Sequence, residues 1–299
     1  MIVSLTKVCW KMSDEEGVLE LKTITLSLRE WSSMAISTKH RFAGQVVLIT
    51  GASSGIGAAL AREFARQGAH TILLARRVER IEELAAELTA GGRRALAIAG
   101  DVARDGDLEQ AVEAARKEFG RLDVAIANAG LLVTGQLSRL TLDDYRKQME
   151  TNTFGALRTI FAALPALRET HGRLVLAGSL LGMVSVPGCT PYCMSKFALT
   201  GLADGLCQEL EPYGISVTHV LFGYVDTEIY ANAPLRRKPN KWIALTADEA
   251  APRVVSAVYR RKRSFVLPWP TKMGLLLQRY APWLVSRVLR QAFHRLSRS

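Results

Sequence analysis

From Gly44 onward the apolar residues follow two alternating rhythms. Short runs rich in Val, Ile, Leu and Ala predict strands over residues 45–50, 71–75, 96–99, 124–127, 173–177 and 216–221. Between them, apolar residues three and four positions apart predict helices over 55–67, 78–88, about 108–119, about 142–167 and 193–210. Thr246 and Glu249 form a capping box for a further helix through Tyr259. Strands that alternate with helices pair in parallel, because each crossover returns the chain to the same end of the sheet. Runs such as Val46-Val-Leu-Ile49 are apolar throughout, as strands covered on both faces must be. The predicted fold class is α/β: a doubly wound parallel sheet with helices on both faces, followed by a C-terminal amphipathic helical extension.

The remaining segments read differently. Residues 1–41 have mixed polarity and no clean period, and are expected to be a poorly ordered extension. Met34 opens a shorter start, so the first 33 residues are read as an extension or a start-site artefact. Asp14, Glu15 and Glu16 interrupt the apolar pieces before a signal-peptide core can form. Residues 42–268 form the α/β domain and 269–299 the basic extension. Residues 174–194 carry no charge and are long enough to cross a bilayer. Gly178, Gly182, Pro187, Gly188 and Pro191 would break a spanning helix there, so a buried strand running into a loop is expected.

Charge and cysteine usage narrow the classes. The chain carries 39 Lys and Arg against 28 Asp and Glu, a net +11. All of that excess lies beyond Glu249, the last acidic residue, so the body is neutral and the end is basic. Such a distribution argues against a nucleic-acid binder. Cys9, Cys189, Cys193 and Cys207 form no metal-binding pattern, and His40, His70, His171, His219 and His294 are unclustered. No metal is expected, and the reduced cysteines suit a cytoplasmic protein.

Chemistry enters where the first strand meets the first helix, at Thr50-Gly-Ala-Ser-Ser-Gly-Ile-Gly57. The pyrophosphate of a dinucleotide needs close backbone approach and free N–H groups at a helix N-terminus. Gly51, Gly55 and Gly57 permit the approach, and Ser53, Ser54 and Ile56 complete the turn, so the sheet is read as Rossmann-type. A structural tight turn is the other reading. An acidic residue at the end of the second strand would hold a ribose 2′-hydroxyl. Here Ala75 stands in that place, followed by Arg76 and Arg77, whose guanidiniums suit a 2′-phosphate. The expected cofactor is NADP(H); a solvated helix start is the alternative.

Tyr192 and Lys196 are four residues apart and would share one face of a helix. A free tyrosine titrates near ~10, and a neighbouring cation lowers that value. The pair arises often by chance, but its context resembles the short-chain dehydrogenase/reductase family over roughly residues 42–266. The glycine turn matches the family's, and Asp101-Val102 its adenine-contacting pair. Ala127-Asn128-Ala129-Gly130 matches its Asn-Asn-Ala-Gly element, with Ala127 in place of the first asparagine. Asn152 matches its helix asparagine, and Ser179, thirteen residues before Tyr192, its serine. Val225 and Thr227 resemble the loop contacting the carboxamide, although Phe222 replaces the usual proline before Gly223.

The resemblance implies hydride transfer between NADP(H) and a carbonyl or secondary alcohol. It makes Tyr192 the acid or base and gives Lys196 the nicotinamide ribose. Ser179 would orient the substrate oxygen, and Asn152 would hold a relay water. It also implies dimers or tetramers. A catalytically silent nucleotide-binding scaffold or a membrane-associated protein on the same fold is the competing class.

Residues 229–244 are where the family places a substrate lid, here with Arg236, Arg237, Lys238 and Lys241. Beyond Arg260-Arg-Lys-Arg263 an amphipathic pattern groups Val285, Val288, Leu289, Ala292, Phe293 and Leu296 on one face, away from Arg287, Arg290, His294 and Arg298. With Trp269 and Trp283 it fits either peripheral contact with an anionic membrane or a helix packed on protein. The membrane reading favours a lipophilic substrate.

Overall fold

The structure, a computed structural model, describes residues 5–12, 19–26, 40–230, 244–268 and 270–297. Contacts divide the chain into two units, Met1–Arg41 and Phe42–Ser299. In the first, where the sequence shows no clear period, β1 (Leu5–Met12) pairs antiparallel with β2 (Leu19–Leu26), Leu5 opposite Leu26 and Met12 opposite Leu19.

In the second unit the predicted strands form β3 (Val46–Thr50), β4 (His70–Ala75), β5 (Ala95–Ala99), β6 (Val124–Ala127), β7 (Arg173–Ser179) and β8 (Ser216–Phe222). The short β9 (Tyr224–Asp226) and β10 (Ala244–Thr246) pair with each other. A last strand, β11 (Ser264–Leu267), is not among those predicted and pairs with β8 at the sheet edge. Seven parallel strands result, in the order β11-β8-β7-β6-β3-β4-β5. The fold is a Rossmann-type α/β sheet. Strand order reverses between β3 and β6, and that reversal opens a crevice at the carboxyl ends of the strands.

Alternation along each strand makes two cores. Val47 and Ile49 point to one, closed by α1 (Gly55–Arg66), α2 (Val78–Ala90) and α7 (Ala247–Tyr259). Val46 and Leu48 point to the other, closed by α3 (Asp107–Phe119), α5 (Gly155–Thr170) and α6 (Thr190–Glu209). All five residues of β3 are buried, as the unbroken apolar run requires. The Thr246–Glu249 capping box opens α7 as predicted. The segment 174–194 is a buried strand, a single 3₁₀ turn and the start of α6, and no described helix is long and apolar enough to cross a membrane. The C-terminal segment forms α8 (Pro270–Tyr280) and α9 (Pro282–Ser297).

The long helix predicted over 142–167 is interrupted. It starts as α4 (Leu142–Met149), widens into a π-helical turn at Glu150–Phe154, and continues as α5. Gln148 and Asn152, both buried, turn their carboxamides onto the backbone of the loop after β6. A π turn of this kind re-aims one side chain without ending the helix. Here that side chain is Asn152.

His219 of β8 lies buried against Gly178 of β7, where a Cβ would sit 2.2 Å from Nε2. Nε2 has no hydrogen-bond partner. Burial, helped by the Lys196 charge, pushes the imidazole down to about 4, so it is neutral in the folded protein at pH 7. An unfolded histidine titrates near ~6.5. The unfolded chain therefore binds more protons between pH 6.5 and about 4, and stability falls as the pH drops through that window. Urea unfolding should show His219 contributing a loss of about 1–2 kcal/mol on going from pH 7.5 to pH 5. The loss should shrink in H219L, and an identical pH dependence in the variant would remove His219 as its source.

Candidate active site

The phosphate turn is shaped by missing side chains. A Cβ on Gly57 would lie 2.2 Å from the Gly51 carbonyl oxygen and 2.7 Å from Asn128 Nδ2. Gly51 has φ 67°, and a Cβ there would meet the Ala129 Cα at 2.8 Å. Thr50 and Asn128 then stitch the sheet reversal together. The Thr50 hydroxyl accepts from the amides of Asn128 and Ala129, at 3.0 and 3.1 Å, and donates to the Ile126 carbonyl. Asn128 Nδ2 donates to the Thr50 carbonyl at 2.9 Å. This leaves the N-terminal amides of α1 facing the crevice, the arrangement that receives a pyrophosphate.

One cleft runs along the carboxyl ends of the strands. It is lined by Gly51, Ser53, Ser54, Gly55, Ile56 and Gly57 of the turn, Arg76 and Arg77 after β4, Asp101 and Val102 after β5, and Asn128, Ala129 and Gly130 after β6. Ser179, Tyr192, Lys196, Val225 and Thr227 line its other end. Every site residue expected from the sequence except Asn152 therefore borders the same groove; Asn152 sits behind it, beside Gly130 and Leu131. At the basic end Arg77 donates to the hydroxyls of Ser53 and Ser54, at 3.0 and 2.7 Å, and to the Glu228 carboxylate at 2.8 Å. Arg76 pairs loosely with Asp101 at 3.7 Å and is largely exposed. Val102 is buried against Gly155, whose lack of a side chain lets α5 approach it.

At the other end, Tyr192 is on the first turn of α6 and Lys196 one turn later, and both are buried. Lys196 Nζ donates to the Ala177 carbonyl at 2.6 Å and lies 5.6 Å from the Tyr192 ring centroid. Burial lowers the Lys196 ammonium to about 8. Burial also raises the Tyr192 phenol well above its ordinary value, reinforced by Tyr230 and opposed by a hydrogen bond with Ser179. The expectation of a depressed phenol thus meets a stronger opposing effect, because desolvation of the buried hydroxyl outweighs its neighbours. Asn152 Oδ1 accepts from the Leu131 amide at 2.9 Å, and Nδ2 donates to Ser195 Oγ at 3.2 Å, next to Lys196. Ser195 in turn donates to the Tyr192 carbonyl at 2.8 Å. Among the described residues no His, Cys, Asp and Glu cluster suits a metal ion, and burial holds the Cys189 and Cys193 thiols protonated.

Two bordering residues, Glu228 and Tyr230, carry no mark in the sequence. Glu228 reaches back 151 positions to Arg77, and also pairs with Arg80 at 2.8 Å. Tyr230 stacks on Tyr224 at 4.7 Å and stands close enough to Tyr192 to influence its titration. Phe222, noted as a departure, is buried and lines the cleft. No local pattern marks Glu228 or Tyr230, because their partners are distant in sequence. The expected lid falls largely on residues 231–243, outside the described residues, as do Trp269 and Arg298.

The cradle fits a dinucleotide: glycine-bounded backbone amides in the middle, guanidiniums at one end, a phenol and an ammonium at the other. Comparison with known proteins agrees. The family model for short chain dehydrogenase matches residues 45–238. The chain is 34% identical over 253 residues to a hydroxysteroid 11-beta-dehydrogenase 1-like protein of Xenopus laevis, covering 82% of this chain and 86% of that one. Among solved structures, a short-chain dehydrogenase of Sphingobium yanoikuyae in complex with NADPH is 31% identical with a TM-score of 0.69, covering 84% of this chain and 95% of that one. A short chain dehydrogenase of Burkholderia cenocepacia in complex with NADP is 33% identical with a TM-score of 0.68, covering 76% and 97%. The chain belongs to the short-chain dehydrogenase/reductase family and is an oxidoreductase acting between CH–OH and C=O.

Proposed function

We propose that the protein transfers a hydride between NADP(H) and a carbonyl or secondary alcohol of a lipophilic substrate, with Tyr192 as general acid and base. One observation carries this reading: Ser179, Tyr192 and Lys196 meet at one end of the groove whose other end holds Arg76 and Arg77. The bound nicotinamide supplies or accepts the hydride. The protein's part is to move a proton and steady a charge. In reduction Tyr192 donates its proton to the substrate oxygen as negative charge gathers there, and burial keeps that proton in place until then. The Ser179 hydroxyl bonds the same oxygen and orients it. Lys196, still a cation at neutral pH, steadies the phenolate left behind and holds the nicotinamide ribose. Asn152, whose oxygen keeps a second acceptor position, holds the water that links Lys196 to solvent.

Several observations support the finer parts. Arg76 and Arg77, with no carboxylate at Ala75, favour a coenzyme bearing a 2′-phosphate. Val225 and Thr227 take the carboxamide, and Asp101 and Val102 the adenine. Phe222, Ile229 and Tyr230 give the catalytic end apolar walls suited to a lipophilic carbon skeleton. Exposed Phe154 in the π-helical turn, Phe161 on α5 and Phe197 on α6 favour a homo-oligomer through those helices. On α8 and α9, exposed Met273, Leu276, Leu277, Tyr280 and Trp283 lie among Lys272, Arg279 and Arg287. No acidic residue lies beyond Glu249, which favours peripheral contact with an anionic membrane surface.

Three measurements test this. Y192F should lower kcat by about 100- to 10,000-fold while leaving the NADPH dissociation constant within about twofold; unchanged turnover would remove Tyr192 as the acid. R77A should weaken NADPH binding about tenfold and NADH binding little, read by titration of coenzyme fluorescence; equal losses would point away from the 2′-phosphate. The full chain should co-sediment with liposomes containing phosphatidylserine, and L276E/L277E should stay in the supernatant; equal partitioning would dispose of the membrane surface.

A further inference from the structure

A carboxylate of the chain itself sits on the cationic fork that the coenzyme would use. Arg77 holds three partners at once: Ser53 Oγ and Ser54 Oγ of the phosphate turn, and Glu228 Oε2 at 2.8 Å. Arg80, in the first turn of α2, gives the same carboxylate a second guanidinium, at 2.8 and 3.0 Å to its two oxygens. Glu228 comes from the 3₁₀ turn Glu228–Tyr230 that follows Thr227. Its carboxylate ties that turn to Arg77 and to α2. The two arginines hold its acid down to about 2, so it is ionised at any working pH. A carboxylate between two guanidiniums has the charge sign of a phosphate and, like it, accepts paired N–H bonds from arginine.

We propose that Glu228 is a specificity-determining residue, an internal carboxylate that competes with the coenzyme's 2′-phosphate for Arg77. This rests on the NADP(H) reading above. A dianionic phosphate outbids a single carboxylate for the same fork, whereas a ribose 2′-hydroxyl does not displace it. Phosphate-bearing coenzymes therefore bind with the clasp opened. Non-phosphorylated ones bind with it closed, Arg77 remaining on Glu228. The competition lowers affinity for the phosphorylated form below what the two arginines alone would give. It also couples the adenosine end of the groove to its catalytic end, since Tyr230, two residues on, lines the cleft near Tyr192.

The test uses titration calorimetry on the full chain with two probes, adenosine 2′,5′-bisphosphate and 5′-AMP, and needs no turnover. Glu228 has a half-exposed side chain, so E228Q and E228A leave the core untouched; matched thermal midpoints check this. The bisphosphate should bind about three- to tenfold tighter to E228Q than to the wild type, and at least as tightly to E228A, because each exposed ion pair is individually modest. Binding of 5′-AMP should change less than about twofold, and the gain should shrink at high salt. Unchanged or weaker bisphosphate binding in both variants would overturn the proposal, the weaker result marking Glu228 as a residue that holds Arg77 in place. If the bisphosphate binds no better than 5′-AMP to any of the three proteins, the 2′-phosphate reading falls, and the proposal falls with it.

Discussion

The site depends on how closely two pieces of backbone can approach at the reversal of the sheet. The turn after β3 folds back on itself, and it also touches the loop after β6. At Gly57 a single methyl group would be driven to 2.2 Å from a carbonyl oxygen, and at Gly51 into the backbone of Ala129. Neither clash involves a flexible side chain that could move aside. With the glycines in place, Thr50 and Asn128 close the gap with hydrogen bonds, and the first amides of α1 are left aimed into an open groove. An anion can then be met by dipoles already in position, at no cost of reorganisation.

The same economy of backbone governs the catalytic end. Lys196 is buried, yet its ammonium has a carbonyl to donate to, and that carbonyl is at the end of β7. Burial pulls the two titrating partners toward their neutral forms, the phenol upward and the ammonium downward. A phenol that keeps its proton until a nearby oxygen becomes basic is suited to acid catalysis, and an ammonium at about 8 is poised to gain or lose a proton near neutrality. The π-helical turn that carries Asn152 serves this end as well. It presents the carboxamide to Leu131 and Ser195, so the loop after β6 and the helix bearing Lys196 are tied together.

The groove has opposite electrostatic characters at its two ends. The end that carries Arg76, Arg77 and Arg80 is exposed, and its cations are shared among hydroxyls and carboxylates. The end that carries Ser179, Tyr192 and Lys196 is buried. Affinity for a charged coenzyme can therefore be set at one end while the proton chemistry is set at the other. The turn from Thr227 to Tyr230 connects them, one side packed on Gly55 and the other near Tyr192.

The sequence by itself determined the layers, the strand–helix order, the phosphate turn and the Tyr192–Lys196 spacing. Those features are local: an apolar run, a period of three to four residues, or a glycine that admits a particular turn is written in adjacent positions. The Thr246 capping box was legible for the same reason. Only the tertiary structure decided the rest. β11 exists because β8 offers it an edge, and the break between α4 and α5 because two carboxamides find backbone partners in a distant loop. Likewise, the state of the Tyr192 phenol was set by enclosure, which spacing along a helix does not encode. Glu228, 151 positions from Arg77 in the chain, met it only through the tertiary fold.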